Sequence, residues 1–166
     1  MGGCADVKVP LSHLIAQAEE PAAVTPGGDA FTEAMQALYA EVDATVALHS
    51  PVCINRGHCC KFDTFGHKLY VTDVELRYFS EGMRSSWIEP TGEARCPYQS
   101  GGRCNARERR PLGCRVFFCD PAAQAWQGPA YERFLERLKA LGESFSVPYR
   151  YSEWLSALRE GASHRD

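Results

Sequence analysis

The sequence predicts a small, mainly helical α+β fold in a single domain, built around an irregular cysteine-rich metal-binding core. Three observations lead to this prediction. Hydrophobic residues make up 45% of the 166 residues, and a chain of this length can bury a core without disulfides. Apolar residues recur at helical spacing before residue 50 and after residue 128. Between these two parts, a stretch with little periodicity holds seven of the eight cysteines.

The N-terminal half is predicted to begin with a lead-in over residues 1–28, which could include a short helix over residues 12–20. The main domain is then expected over residues 29–160, with its cysteine core over residues 53–119. Apolar residues at helical spacing predict a long helix over residues 29–50, which Pro51 ends. This helix leads the chain directly to Cys53.

The middle of the chain is less regular. Residues 68–71 are typical of a short strand, and residues 72–81 open with a capping-box sequence that predicts a helix. Residues 84–126 are rich in Gly, Pro, Arg and Cys. A loop region this long is uncommon in a compact domain unless a bound group organises it.

Two helices are predicted at the C-terminal end. The first covers residues 129–141, beginning at the Gly128-Pro129 pair and ending at Gly142. The second is expected to be capped by Ser152 and to carry Trp154 on its apolar face.

Charge and hydropathy point to a cytoplasmic protein. The net charge of −3 gives no general attraction to nucleic acid or to an anionic membrane. The N-terminal residues lack a signal-peptide pattern, and no apolar run is long enough to cross a membrane. The arginines between residues 95 and 115 lack the interleaved aromatics that nucleic-acid surfaces use, so nucleic acid is not an expected partner.

The clustered cysteines predict a metal site. In the cytoplasm thiols stay reduced, and thiolates are soft donors suited to zinc or an iron–sulfur cluster. A secreted disulfide scaffold is the alternative, because the cysteine count of eight is even. Metal is favoured because such scaffolds are usually short and poor in core, whereas this chain has predicted helices enough to stand alone.

Residues 53–119 resemble the zinc- or iron-chelating cysteine-cluster family, whose opening motif is C-x-x-C-x-x-C-C. The matching features occur in order: the adjacent cysteine pair, Thr72-Asp73 opening a helix, Cys96-Pro97, Cys104, and Arg110-Pro111-x-x-Cys114-Arg115. The resemblance implies zinc or an iron–sulfur cluster, with no established reaction for most members. It also implies six metal-ligating residues, namely Cys53, Cys59, Cys60, Cys96, Cys104 and Cys114.

One departure from the family motif involves a seventh cysteine. Arg56 stands where the motif has its second cysteine, and Cys119 lies five residues beyond Cys114. One hypothesis is that Cys119 is a metal ligand that takes the place vacated at Arg56. The alternative is that Cys119 is a buried, small apolar residue.

Seven cysteines exceed the four ligands of one zinc or one [4Fe–4S] cluster. The surplus allows two zinc sites, with His58 or His67 as the eighth ligand, or one site plus a redox-active thiol pair. The chain has no C-x-x-C pair, which disfavours a zinc ribbon, and the irregular spacing slightly favours iron–sulfur over zinc. Arg115, beside Cys114, is the candidate for offsetting thiolate charge at the cofactor.

The function predicted from the sequence is therefore metal binding through the cysteine cluster, with the downstream reaction open. Two alternatives belong to other classes. One is a redox enzyme or electron carrier that uses the cluster or the spare thiols. The other is a structural zinc module that presents a surface to a protein partner. A methyl-transfer role, by analogy with the related cysteine cluster of flagellin lysine methylases, lacks a cofactor-binding Rossmann pattern.

Overall fold

A computed structural model describes residues 28–53, 57–92 and 94–163, in which short strands are interspersed among helices. The predicted class, a mainly helical α+β domain, is confirmed. The helices are α1 (Gly28–His49), α2 (Phe62–Phe65), α3 (Asp73–Gly82), α4 (Leu112–Val116), α5 (Gln124–Ser144) and α6 (Trp154–Ser163). The strands are β1 (Tyr70–Thr72), β2 (Gln99–Ser100), β3 (Arg103–Cys104) and β4 (Tyr151–Glu153).

Two predicted helices are confirmed closely. Helix α1 begins and ends one residue earlier than the predicted range 29–50. Helix α3 begins with the predicted capping box, in which the Thr72 hydroxyl accepts from the Glu75 N–H and the Glu75 carboxylate accepts from the Thr72 N–H. The helix considered over residues 12–20 lies outside the described residues.

Helix α5 differs from its prediction at both ends. It begins at Gln124 rather than at residue 129, directly after a 3-10 turn in which the Asp120 carboxylate accepts from the Ala122 N–H. It also continues past Gly142, which was expected to end it. A side chain at Gly142 would place its Cβ 2.7 Å from Val74 Cγ2, so this glycine allows α5 to pack closely on α3.

The C-terminal helix α6 is also capped differently. Ser152 lies in β4, which pairs antiparallel with β1 so that Val71 stands opposite Ser152. The cap is instead Glu153, whose carboxylate accepts hydrogen bonds from the Leu155 and Ser156 N–H groups. The β1–β4 pair thus fixes the start of α6 against the segment that opens α3.

The hydrophobic core consists of two clusters, and α3 lies between them. One cluster joins α1, α4 and α5 to one face of α3, through residues such as Met35, Tyr78 and Leu138. The other joins α6 to the opposite face of α3, where Phe79 contacts the Trp154 ring edge-to-face with the centroids 4.8 Å apart. Cys96 is buried in this second cluster, so the predicted metal site lies against the α6 side of the core.

Glu75 is a buried carboxylate that joins three elements, with only 2% of its surface exposed. One oxygen accepts from the Leu112 N–H at 2.7 Å and from the Tyr39 hydroxyl at 3.3 Å. The other accepts from the Thr72 N–H and hydroxyl at 2.8 and 2.9 Å. Burial raises the pKa of Glu75, while these donors oppose the rise. Glu75 therefore fixes α1, α3 and α4 relative to one another.

Replacing Glu75 with Gln is expected to lower the free energy of unfolding by about 1–3 kcal/mol, because one amide end would face hydrogen-bond donors. Chemical denaturation measures the loss. Glu81→Gln is the matched control on the same helix, since Glu81 forms only a partly exposed pair with Arg77, and a much smaller loss is expected. Equal losses in the two variants would contradict the role given to Glu75.

Candidate metal centre

Six cysteines line a single cavity of about 70 Å³ between α4, α6 and the loops that precede them. Its other walls are mostly apolar, and the side chains of Arg107 and Arg110 reach it. In the parts of the chain that the structure describes, no histidine and no carboxylate lines this cavity. The six cysteines are those implied by the family resemblance: Cys53, Cys59, Cys60, Cys96, Cys104 and Cys114.

The adjacent pair Cys59 and Cys60 lies on a 3-10 turn, with the two Sγ atoms 3.9 Å apart. Gly57 precedes this turn with φ at +66°, a left-handed conformation that favours glycine. Both thiols reach the same cavity. A 3-10 turn therefore brings these neighbouring thiols to one site.

Cys96 is the most deeply buried cysteine of the six. Its N–H donates to the Cys60 carbonyl at 2.8 Å, and its Sγ accepts from the indole Nε1–H of Trp154 at 3.4 Å. Burial raises the pKa of the Cys96 thiol, and the bond from Trp154 opposes this rise. Trp154 was predicted only as an apolar residue of the last helix, so its contact with the cluster was missed.

Cys104 reaches the cavity from a tight hairpin that the sequence reasoning also missed. Strands β2 and β3 pair antiparallel with Gln99 opposite Cys104, and the turn between them is Gly101-Gly102. Both glycines have positive φ, which a two-residue hairpin turn of this kind requires. The Gly-Gly pair was the available signal for this hairpin.

Cys114 lies on α4, on the face opposite the core cluster that joins α1, α4 and α5. Leu112 and Val116 pack into the core one helical turn apart, so Cys114 between them faces the cavity. Glu75 holds the start of this helix through the Leu112 N–H. At Gly113, a Cβ would come within 2.8 Å of Leu69 Cδ1, so the glycine lets α4 lie close to the segment before β1.

Cys53 follows α1, and Asp120 fixes the chain beside it. The Asp120 carboxylate accepts from the Val52 N–H at 3.1 Å as well as from the Ala122 N–H. These two donors lower the pKa of Asp120. Asp120 thus joins the segment before Cys53 to the segment after Cys119.

The thiols interact electrostatically across the cavity. A hydrogen bond from Cys60 lowers the pKa of the Cys59 thiol to about 6, and the same bond raises the pKa of Cys60. Burial raises the pKa of Cys114, and negative charge on Cys96 and Cys59 raises it further, while Arg110 opposes the rise. A bound cation would relieve this mutual repulsion of thiolates.

Cys119 does not line this cavity. It is exposed and lines a neighbouring cavity of about 350 Å³, together with His58 and His67. Cys59 and Cys114 line both cavities. The structure thus brings six of the seven cysteines predicted as ligands to one cavity. Cys119 was expected to take the ligand position vacated at Arg56, and Arg56 lies outside the described residues.

Arg115 does not line the cavity, whereas Arg107 and Arg110 do. The Arg115 guanidinium is buried and donates to the Arg110 and Glu108 carbonyls at 2.8 and 2.7 Å. It also pairs with Asp43 at 2.6 Å and lies over the Tyr39 ring. Its observed contacts hold the loop before α4 and α4 itself against α1.

Within the described residues, no three His, Cys, Asp or Glu side chains already form a set arranged to hold a metal ion. None of the helices in these residues is long and apolar enough to span a membrane. Comparisons with family models, with curated proteins and with solved structures found no match to the chain. The resemblance of residues 53–119 to a cysteine-cluster family therefore stays a prediction.

Replacing Arg115 with Lys is expected to lower the free energy of unfolding by about 1–3 kcal/mol, because one ammonium group cannot reach all three acceptors. Thermal or chemical denaturation measures the change. Arg137→Lys is the matched control, since Arg137 pairs with Glu41 on the exposed surface and little change is expected. Full stability in Arg115→Lys would show that the guanidinium geometry is not needed.

Proposed function

We propose that this protein binds metal through the cysteine cavity, as an iron–sulfur cluster or as zinc. The observation that carries the proposal is that six cysteines, from five segments well separated along the chain, line one cavity. Thiolate sulfur is the preferred donor for both kinds of centre. The described lining has no carboxylate side chain, and carboxylates are the usual ligands of the hard cations magnesium and calcium, so these ions are disfavoured.

The size of the cavity supports an iron–sulfur cluster slightly ahead of zinc. A cavity needs a volume of roughly 10–15 Å³ to hold one water molecule, and this cavity has about 70 Å³. It therefore has room for a group of several atoms. A structural zinc ion is enclosed by its four ligands and needs less space.

The surrounding residues would support such a centre. Trp154 donates to the Cys96 sulfur, and hydrogen bonds to ligand sulfurs tune metal–thiolate centres. Arg110 carries a positive charge toward Cys59 and Cys114 and would offset the negative charge of several thiolates. A bound cluster would supply electron transfer, whereas zinc would supply folding energy alone. The protein would hold either centre against apolar walls that limit access of water.

A second candidate function is thiol redox chemistry, favoured by the 3.9 Å separation of the Cys59 and Cys60 sulfurs. In this case the two thiols would form a disulfide by exchange, and their two electrons and two protons would pass to a disulfide oxidant, which becomes a dithiol. This candidate would make the protein a redox enzyme. It requires that Cys59 and Cys60 are free of metal when they react.

Anaerobic purification followed by metal analysis, sulfide analysis and visible spectroscopy tests the proposal. We expect brown protein with iron, acid-labile sulfide and a visible absorption that changes on reduction. A colourless protein that holds stoichiometric zinc without sulfide, and that unfolds when the zinc is chelated, would instead be a structural zinc module that presents a surface to a protein partner. A protein that contains neither iron nor zinc, and takes up neither on anaerobic reconstitution, would contradict metal binding. Thiol redox chemistry of Cys59 and Cys60 would then be the remaining candidate.

Single Cys→Ser variants identify the ligands. Cys96→Ser and Cys114→Ser are expected to lose most of the bound metal, because both side chains line the cavity. Cys119→Ser is the matched control and should keep its metal, because Cys119 lies in the neighbouring cavity. If Cys119→Ser lost as much metal as Cys114→Ser, the hypothesis of a relocated ligand would be supported instead. Elemental analysis of the purified variants provides the measurement.

A further inference from the structure

The second cavity lies directly beside the cysteine cavity and shares the walls formed by Cys59 and Cys114. Its volume of about 350 Å³ falls within the range of small-molecule sites, about 300–1,000 Å³. We propose that this second cavity binds a small aromatic molecule that carries an anionic group such as a carboxylate. The metal proposal does not require such a site, and the apolar and charged residues that define it are not cysteines.

Aromatic rings give the second cavity its apolar surface. Phe65 and Phe117 line it and keep 47% and 44% of their surface exposed. Each is nonetheless held by another ring, since Phe65 stacks on His58 at 4.3 Å and Phe117 lies 5.0 Å from the Tyr131 ring. Accessible faces of such positioned rings suit a flat aromatic ligand, which gains both apolar burial and ring stacking.

The charged groups of this cavity are Lys68 and the Cys59 thiol, whose pKa is lowered to about 6, and no Asp or Glu lines it in the described parts of the chain. An anionic group of a ligand would therefore pair with Lys68 and lie away from Cys59. Lys68 forms no ion pair with any other described residue, so its ammonium group is available to a ligand. An unpaired cation beside apolar walls attracts a carboxylate more strongly than a neutral group.

Sulfur forms part of the wall of this cavity. Cys59, Cys114 and Cys119 all line it, and the first two also line the cysteine cavity. A ligand held by Phe117 and Lys68 would therefore lie close to two of the cysteines proposed to hold the metal. The position of the ligand beside a metal rests on the proposed function, whereas the binding of the ligand does not.

Isothermal titration calorimetry with three probes of matched shape tests the site: 2-naphthoate, neutral 2-naphthalenemethanol and cationic 2-naphthylmethylammonium. We expect affinity to fall in that order. Lys68→Met should weaken binding of 2-naphthoate by about two- to fivefold and leave the neutral probe unchanged. Phe117→Ala should weaken all three probes by about tenfold. The matched controls Lys139→Met and Tyr149→Ala remove a lysine and an exposed aromatic ring that do not line the cavity, and should change nothing.

The proposal is overturned if 2-naphthoate does not bind at millimolar concentration, if the three probes bind equally, or if Lys68→Met and Phe117→Ala bind like the original protein. Phe65→Ala provides a second test of the ring surface should Phe117→Ala fail to fold. Metal content is measured on the same samples. Probe binding by a protein that holds no metal would support this site and contradict the metal proposal. Metal in a protein that binds no probe would support the metal proposal and contradict this site.

Discussion

The structure depends most on the buried carboxylate of Glu75. Its two oxygens accept from the start of α3, from Tyr39 on α1 and from the first residue of α4. A carboxylate in this position has to be satisfied on every side, because an unpaired buried charge is costly. The resulting geometry fixes α4, and with it Cys114, relative to α1 and α3.

The cysteine cavity is assembled by contacts that lie outside the cysteines themselves. Arg115 holds the loop before α4 against α1, Asp120 joins the segments next to Cys53 and Cys119, and Trp154 meets Cys96 from the last helix. These contacts bring thiols from distant parts of the sequence together without disulfides among the described cysteines. Within the described residues no three of these thiols already form a set arranged to hold a metal ion, so a metal bound in the cavity would have to draw its ligands together.

Local signals in the sequence predicted the regular elements well. The capping box at Thr72 and the apolar spacing of α1 identified those helices, because both depend on residues within a few positions of each other. The start of α5 was missed because the cap at Asp120 acts through a 3-10 turn, and the hairpin at Gly101-Gly102 was overlooked among loop residues. The positions of Trp154 and Arg115 could not be predicted, because each depends on contacts with residues more than fifty positions away.

The place of Trp154 in the chain has a consequence for protein synthesis. The six cysteines of the cavity all emerge from the ribosome before Trp154, whose indole forms one wall and contacts Cys96. Until α6 has been made and has packed onto α3, that side of the cavity is open and the thiols are accessible to solvent and oxidants. The last helix therefore supplies the wall of the cavity that is made last, after all six of its cysteines have been synthesised.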